Sequence, residues 1–181
     1  MALVIKLSGR VFDDEELVLR YASVINKLPG KVGVVAGGGE LARRYIAVAR
    51  RGGASNTFQD LLGIYASRLN ALLLISLLRD AYPRVPANLE EFLAAWGGHR
   101  VVVAGGFQPG QSTATVAALV AEAVGSPVLL NAANIDAVYS DDPRRNPDAR
   151  RIPELRYDEF EKILHSSALP GGYELMDVWS L

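Results

Sequence analysis

Three short apolar runs in this chain each pass straight into a glycine turn and then into a segment with helical spacing. Leu3–Leu7 runs into Ser8-Gly9, Lys31–Ala36 into Gly37-Gly38-Gly39, and Arg100–Ala104 into the loop Gly105–Gln111. Helices are predicted behind them over Glu15–Leu28, Glu40–Arg51 and Thr113–Val124, where apolar residues recur at helical intervals. A fourth apolar run, Pro127–Leu130, enters the polar stretch Asn131–Asn134. Alternation of strand and helix requires crossover connections, which favour a parallel sheet. In such a sheet ligands bind beyond the carboxyl ends of the strands. The four turns are therefore predicted to share one rim, and chemistry is expected there.

Composition narrows the possible functions. The chain has 181 residues, half of them hydrophobic and 22% charged, a globular balance. Its formal net charge of −1 gives no basic excess to hold nucleic acid. With no cysteine, a thiol nucleophile, a disulfide scaffold and cysteine-ligated metal are all excluded. Two histidines far apart, His99 and His165, argue against a histidine metal site, and no metal-ligating set is predicted. The opening residues lack the pattern of a signal peptide, so the cytoplasm is the expected compartment.

Leu61–Leu78 is apolar enough to imitate a membrane span. Arg68 and Asn70 lie near its centre, and a central arginine costs about 2.5–3.5 kcal/mol on insertion. A core helix or a subunit contact fits the segment better. A helix is expected around Leu61–Ala81, and a shorter one over Leu89–Trp96 and another over Asp158–Leu164.

Individual residues on the predicted rim admit two readings. The triple glycine can let a phosphate approach the backbone, with Arg43 adding a cation, or it can simply make a tight turn. It lacks the lysine of a Walker loop. Ser112, Thr113 and Thr115 can supply a second anion site or an ordinary helix cap. Two facing anion sites suit phosphoryl transfer. Lys6 interrupts an apolar strand, and it either snorkels outward or meets a phosphate. Asp136, Asp141 and Asp142 can position Mg²⁺ or Lys6, or form a solvated acidic turn; for Asp141 the solvated turn is favoured.

Taken in order, Lys6-Leu-Ser-Gly9, Gly37-Gly-Gly-Glu-Leu-Ala-Arg-Arg-Tyr45, Gln59-Asp-Leu-Leu-Gly63 with Ala66-Ser-Arg-Leu-Asn-Ala71, Gly105-Gly-Phe-Gln-Pro-Gly-Gln-Ser-Thr113 and Asn134-Ile-Asp-Ala-Val-Tyr-Ser-Asp-Asp-Pro143 resemble the amino acid kinase superfamily. The likeness is strongest to its archaeal-type uridylate (UMP) kinases and runs over nearly the whole chain. It implies a three-layer α/β/α sandwich around a mostly parallel sheet, as one domain over residues 1–181. Relative to the family, the chain is expected to be short at its C-terminus, lacking a helix and a closing strand. The implied reaction is UMP + ATP to UDP + ADP with Mg²⁺, in pyrimidine nucleotide (CTP) biosynthesis.

The resemblance also implies site residues. Lys6 and Asp136 would serve the transferred phosphoryl group. ATP contacts would come from Gly9, Arg10, Gly39, Arg43, Ala133, Asn134, Tyr139 and Asp142. UMP contacts would come from Gly38, Asp60, Phe107, Gln108, Pro109, Gly110, Gln111, Ser112 and Thr113. Backbone N–H groups at the helix starts of Glu40 and Thr113 would hold phosphates. Family members are hexamers built from dimers, and Leu61–Leu78 would be the dimer contact. One departure is Asp136-Ala137, where the family has Asp-Gly. Alternatives are an isopentenyl phosphate or acetylglutamate kinase of the same fold, or a nucleotide-binding module without turnover. Isopentenyl phosphate kinases carry a histidine shortly after the glycine loop, where this chain has Glu40-Leu-Ala-Arg43.

Overall fold

The computed structural model describes residues 2–133, 137–141, 146–156 and 159. The chain starts with β1 (Ala2–Leu7), a 3-10 helix (Gly9–Asp13), α1 (Glu15–Lys27), β2 (Lys31–Ala36) and α2 (Gly39–Arg51). Next come α3 (Asn56–Leu77), α4 (Leu89–Gly98), β3 (Val101–Ala104), α5 (Thr113–Ala123) and β4 (Leu129–Ala132). A short antiparallel pair follows, β5 (Val138–Tyr139) with β6 (Arg151–Ile152). The main sheet has the order β3-β2-β1-β4, and every pairing in it is parallel.

Strand alternation divides the interior into two cores. Ile5, Leu7, Val32, Val34, Ala36, Val101 and Val103 face Ala22 and Ile25 of α1 and Ala71 and Leu74 of α3. Val4, Val35, Val102 and Ala104 face Phe92 and Ala95 of α4 and Val116, Ala117 and Val120 of α5. Helices thus cover both faces of the sheet at β1, β2 and β3, the expected three-layer architecture, while β4 at the edge leaves Leu130 exposed. Gly33 sits in β2 on the α4 side, and a Cβ there would lie 3.3 Å from the Phe92 ring. The missing side chain leaves space that the fully buried ring occupies. α2 packs on α3 and on the 3-10 helix.

Helix ends follow side-chain caps. Asp14 accepts from the N–H of Leu17 at 3.0 Å, and Asn88 accepts from that of Glu91 at 2.9 Å. α3 begins at Asn56, ahead of the apolar run, because Ser55 caps it by accepting from the N–H of Phe58. It ends at Leu77 and not at Ala81. There Asn26 of α1 donates to the Leu77 carbonyl at 3.1 Å and accepts from the N–H of Arg79 at 2.8 Å. That clasp closes α3 and turns the chain away.

β4 lies two residues later than the apolar pattern suggests. The ladder pairs Val4 with Leu129 and Leu7 with Ala132, and the N–H of Ser8 extends it to the Ala132 carbonyl at 2.9 Å. Asn131 is therefore in the strand, beside Lys6, and not in the following loop. The helix expected over Asp158–Leu164 falls outside the described residues apart from Glu159.

Replacing Phe92 with alanine removes the ring that fills the space over Gly33. A loss of about 3–5 kcal/mol is expected in urea unfolding, typical of a buried aromatic. A loss under about 1 kcal/mol would show that α4 collapses onto the sheet without it.

Candidate active site

Because the four strands run parallel, their following segments meet on one rim: Ser8–Arg10, Gly37–Gly39, Gly105–Gln111 and the turn at Ala133. The strand order reverses between β1 and β4, which opens a crevice at the carboxyl ends. Lys6 lies at that end of β1, between Val35 and Asn131. It is only 8% exposed, so its stem is buried and it does not extend into bulk solvent.

The first two loops are stacked backbone on backbone. The N–H of Gly37 donates to the Leu7 carbonyl at 2.9 Å. A Cβ on Gly37 would lie 2.5 Å from the Gly9 nitrogen, and one on Gly9 would overlap the Gly39 backbone. Gly39 also has φ +64°, a conformation that suits glycine. These glycines first serve to bring two loops together, and only then can they serve a ligand. Buried Asn70 of α3 holds the arrangement from below by donating to the Gly37 carbonyl at 2.8 Å.

Asp13 changes the expected use of α2. Its carboxylate accepts from the N–H of Glu40 at 3.0 and 3.1 Å and lies 3.6 Å from the Arg43 guanidinium. Arg43 also donates to the Glu40 carboxylate at 3.0 Å. The Glu40 N–H, expected to hold phosphate, is thus occupied by the chain's own carboxylate. The short 3-10 turn supplies Asp13, and neither feature carries a periodic signal in the sequence.

At α5 the hydroxyls separate by role. Ser112 is the N-cap, accepting from the N–H groups of Ala114 and Thr115 at 3.2 and 3.1 Å. Thr115 is buried, with its hydroxyl 3.3 Å from that of Ser112. Thr113 lines a cavity of about 210 Å³ together with Gly38, Gly39, Asp60 and Gln111. Sequence reasoning missed Ala42, Gly63, Ile64, Ser67 and Gly106, which complete its wall. The serine inside an apolar helix was a signal of this wall.

The remaining expected residues distribute around this cavity. Asp60 accepts from the N–H of Gly110 at 2.9 Å. Phe107 packs against the α4–α5 core and, with Gln108, faces a separate hollow near Leu89 and Leu119. Gln108, Pro109 and Gly110 form the exposed outer turn. Gly9 is buried, while Arg10 is half-buried and its N–H donates to the Ser8 hydroxyl at 3.4 Å. Ala133 directly follows β4, and Tyr139 lies in β5. Asn134, Asp136 and Asp142 lie outside the described residues. Among the described residues no cluster of three His, Asp or Glu side chains could hold a metal.

A crevice with a buried lysine and closely stacked glycine loops is suited to holding charged phosphates. Comparisons with known proteins agree with that chemistry. The model of the amino acid kinase family matches residues 1–181. A uridylate kinase of Pyrobaculum aerophilum is 83% identical over the whole chain, which spans 83% of that relative. One from Pyrobaculum arsenaticum is 78% identical with the same coverage. The crystal structure of uridylate kinase from Archaeoglobus fulgidus superposes with a TM-score of 0.88 at 38% identity, covering 99% of this chain and 84% of that one.

Asp13→Ala removes the side chain that takes the Glu40 N–H in the first turn of α2, and a loss of about 1 kcal/mol is expected in urea unfolding. Asp13→Asn keeps an acceptor and should lose clearly less. Equal losses in the two variants would assign the effect to the charge pair with Arg43 and not to the cap.

Proposed function

The chain belongs to the amino acid kinase family, and from that premise we propose that it transfers the γ-phosphoryl group of Mg-ATP to UMP. The identity of 83% to a uridylate kinase across the full chain carries this reading. The geometry supports it, because Gly38, Asp60, Gln111 and Thr113 share one cavity and Lys6 stands on the same rim.

UMP occupies the cavity between α2, α3 and the loop after β3. ATP lies toward Gly9, Arg10, Gly39, Arg43, Ala133 and Tyr139, over the switch between β1 and β4. The family resemblance assigns Asn134 and Asp142 to ATP and Asp136 to the transferred phosphoryl group; all three lie outside the described residues. Asp60, within the cavity wall, accepts hydrogen bonds from the ribose hydroxyls. Mg²⁺ enters with ATP as part of the donor substrate.

A phosphate oxygen of UMP attacks the γ-phosphorus in line. The new P–O bond forms as the bond to the bridging oxygen of ADP breaks, and ADP leaves with that electron pair. The nucleophile is already ionised, so no strong general base is required. This agrees with the described part of the rim, which carries no histidine. Catalysis is positioning plus charge stabilisation. The ammonium of Lys6 neutralises charge on the moving group, and its buried stem limits the reorganisation that costs rate.

The enzyme works in the cytoplasm as a dimer, three of which close a hexamer. α3 is long and apolar enough to cross a membrane by length and composition. Its inner face, however, carries Ser67 and Asn70, which bond to loop backbone. Its outer face exposes Phe58, Tyr65, Leu69 and Leu72, a stripe of the kind that a second copy covers.

An ADP-release assay with UMP and Mg-ATP tests the activity; ATP and UMP binding without UDP formation would make the chain a binding module. Lys6→Ala should lower kcat by about 10²–10³-fold while the Kd for ATP changes far less. Equal losses in both would remove the lysine from the transfer step. Sedimentation at micromolar concentration should give a dimer or larger, and Leu69→Glu should give a monomer; a wild-type monomer would reject the α3 contact.

A further inference from the structure

One wall of the acceptor cavity is a stretch of irregular backbone, residues 105–111, that belongs to no strand or helix. α3 holds it in place. The N–H of Gly106 donates to the Ser67 hydroxyl at 2.8 Å, and that hydroxyl donates to the Ile64 carbonyl at 2.7 Å. The Gly106 carbonyl accepts from Nε of Arg68 at 3.0 Å. Nη2 of Arg68 donates to the carbonyls of Phe107 at 3.1 Å and of Ala87 at 2.9 Å. A Cβ on Gly105 would lie 2.7 Å from the backbone nitrogen of Arg68, so the loop lies flat against this turn of α3.

We propose that Arg68 is a positioning residue for the acceptor nucleotide: it sets the shape of the cavity wall without touching the ligand. The inference rests on the UMP kinase reading of the site. Arg68 does not line the cavity, whereas Gly106, whose carbonyl it holds, does. Its guanidinium takes backbone carbonyls and, among the described residues, no carboxylate. A cation half-buried against neutral acceptors gives up hydration for directional bonds. Three carbonyls from two segments require a rigid fork, and a lysine ammonium cannot reproduce it.

The same geometry explains why the effect is selective. The glycine loop on the other side of the cavity is held by Asn70 and Asp13. Arg68 ties residues 106 and 107 to Ala87, just ahead of α4, and makes no bond to Gly37–Gly39. Losing the fork therefore displaces the acceptor wall and leaves the donor side in place. On its outer side the guanidinium lies 5.9 Å from the ring centroid of exposed Tyr65, which covers it.

Arg68→Gln and Arg68→Lys test this in the full chain. Amide hydrogen exchange at Gly106 and Gly110 should accelerate in both, with Gly37 unchanged. The KM for UMP should rise about tenfold or more, since small misplacements of a bound substrate are costly. The KM for ATP should stay within about twofold, and kcat at saturating UMP should fall much less than kcat/KM. Arg68→Lys keeps the charge and the stem and carries the test if the glutamine variant does not fold. Unchanged exchange at Gly106, or equal shifts in both KM values, would overturn the role of Arg68. Wild-type protein that makes no UDP would instead overturn the reading of the site itself.

Discussion

The bond from the buried Asn70 amide to the Gly37 carbonyl fixes the first glycine loop to the long helix, and the rest of the rim is built outward from it. α3 is otherwise strongly apolar, and its inner face could have been a featureless core stripe. It carries instead a series of polar groups, each matched to a backbone group of a neighbouring loop. Asp60 takes the Gly110 N–H, Ser67 the Gly106 N–H, and Asn70 the Gly37 carbonyl. Buried polar groups stabilise only when they are paired, so the bonds of buried Ser67 and Asn70 specify where the loops lie. A parallel sheet supplies the rim, and α3 fixes the spacing between its two loop systems.

Glycine acts in the same way at closer range. Gly9 and Gly37–Gly39 allow two strand-end loops to stack without side chains between them. The resulting surface is backbone, with Lys6 and the helix starts as its charged features. That is an economical arrangement for phosphoryl transfer, in which two anionic ligands must approach each other and the protein supplies position and field. The Asp13 carboxylate adds a constraint of the opposite sign. It lies at the start of α2 and 3.6 Å from Arg43, so that cation is partly neutralised by the chain's own carboxylate.

Much of this was legible in the sequence. The strand–turn–helix order pointed to the parallel sheet, and the glycine turns meet on one rim at its carboxyl edge, as expected. The helix cap of Ser112 was among the readings the residues allowed. Other features were hidden for physical reasons. The register of β4 depends on long-range pairing with β1, which no local pattern encodes. Asp13 looks like one of two acidic residues leading into α1, yet Asp14 caps α1 while Asp13 reaches α2. Arg68 and Asn70 stood out as charged and polar residues in an apolar segment, and only the tertiary fold shows that they face loop backbone.

The central claim is that donor and acceptor phosphates meet end to end across the crevice, with Lys6 between them. A single compound joining adenosine and uridine through a chain of five phosphates would span both halves at once. Its affinity, measured by calorimetry against ATP and UMP separately, tests the claim directly. It should bind one per chain, about a hundredfold or more tighter than either nucleotide, and be displaced by both. Binding no tighter than ATP alone, or displacement by only one of the two, would contradict a shared crevice.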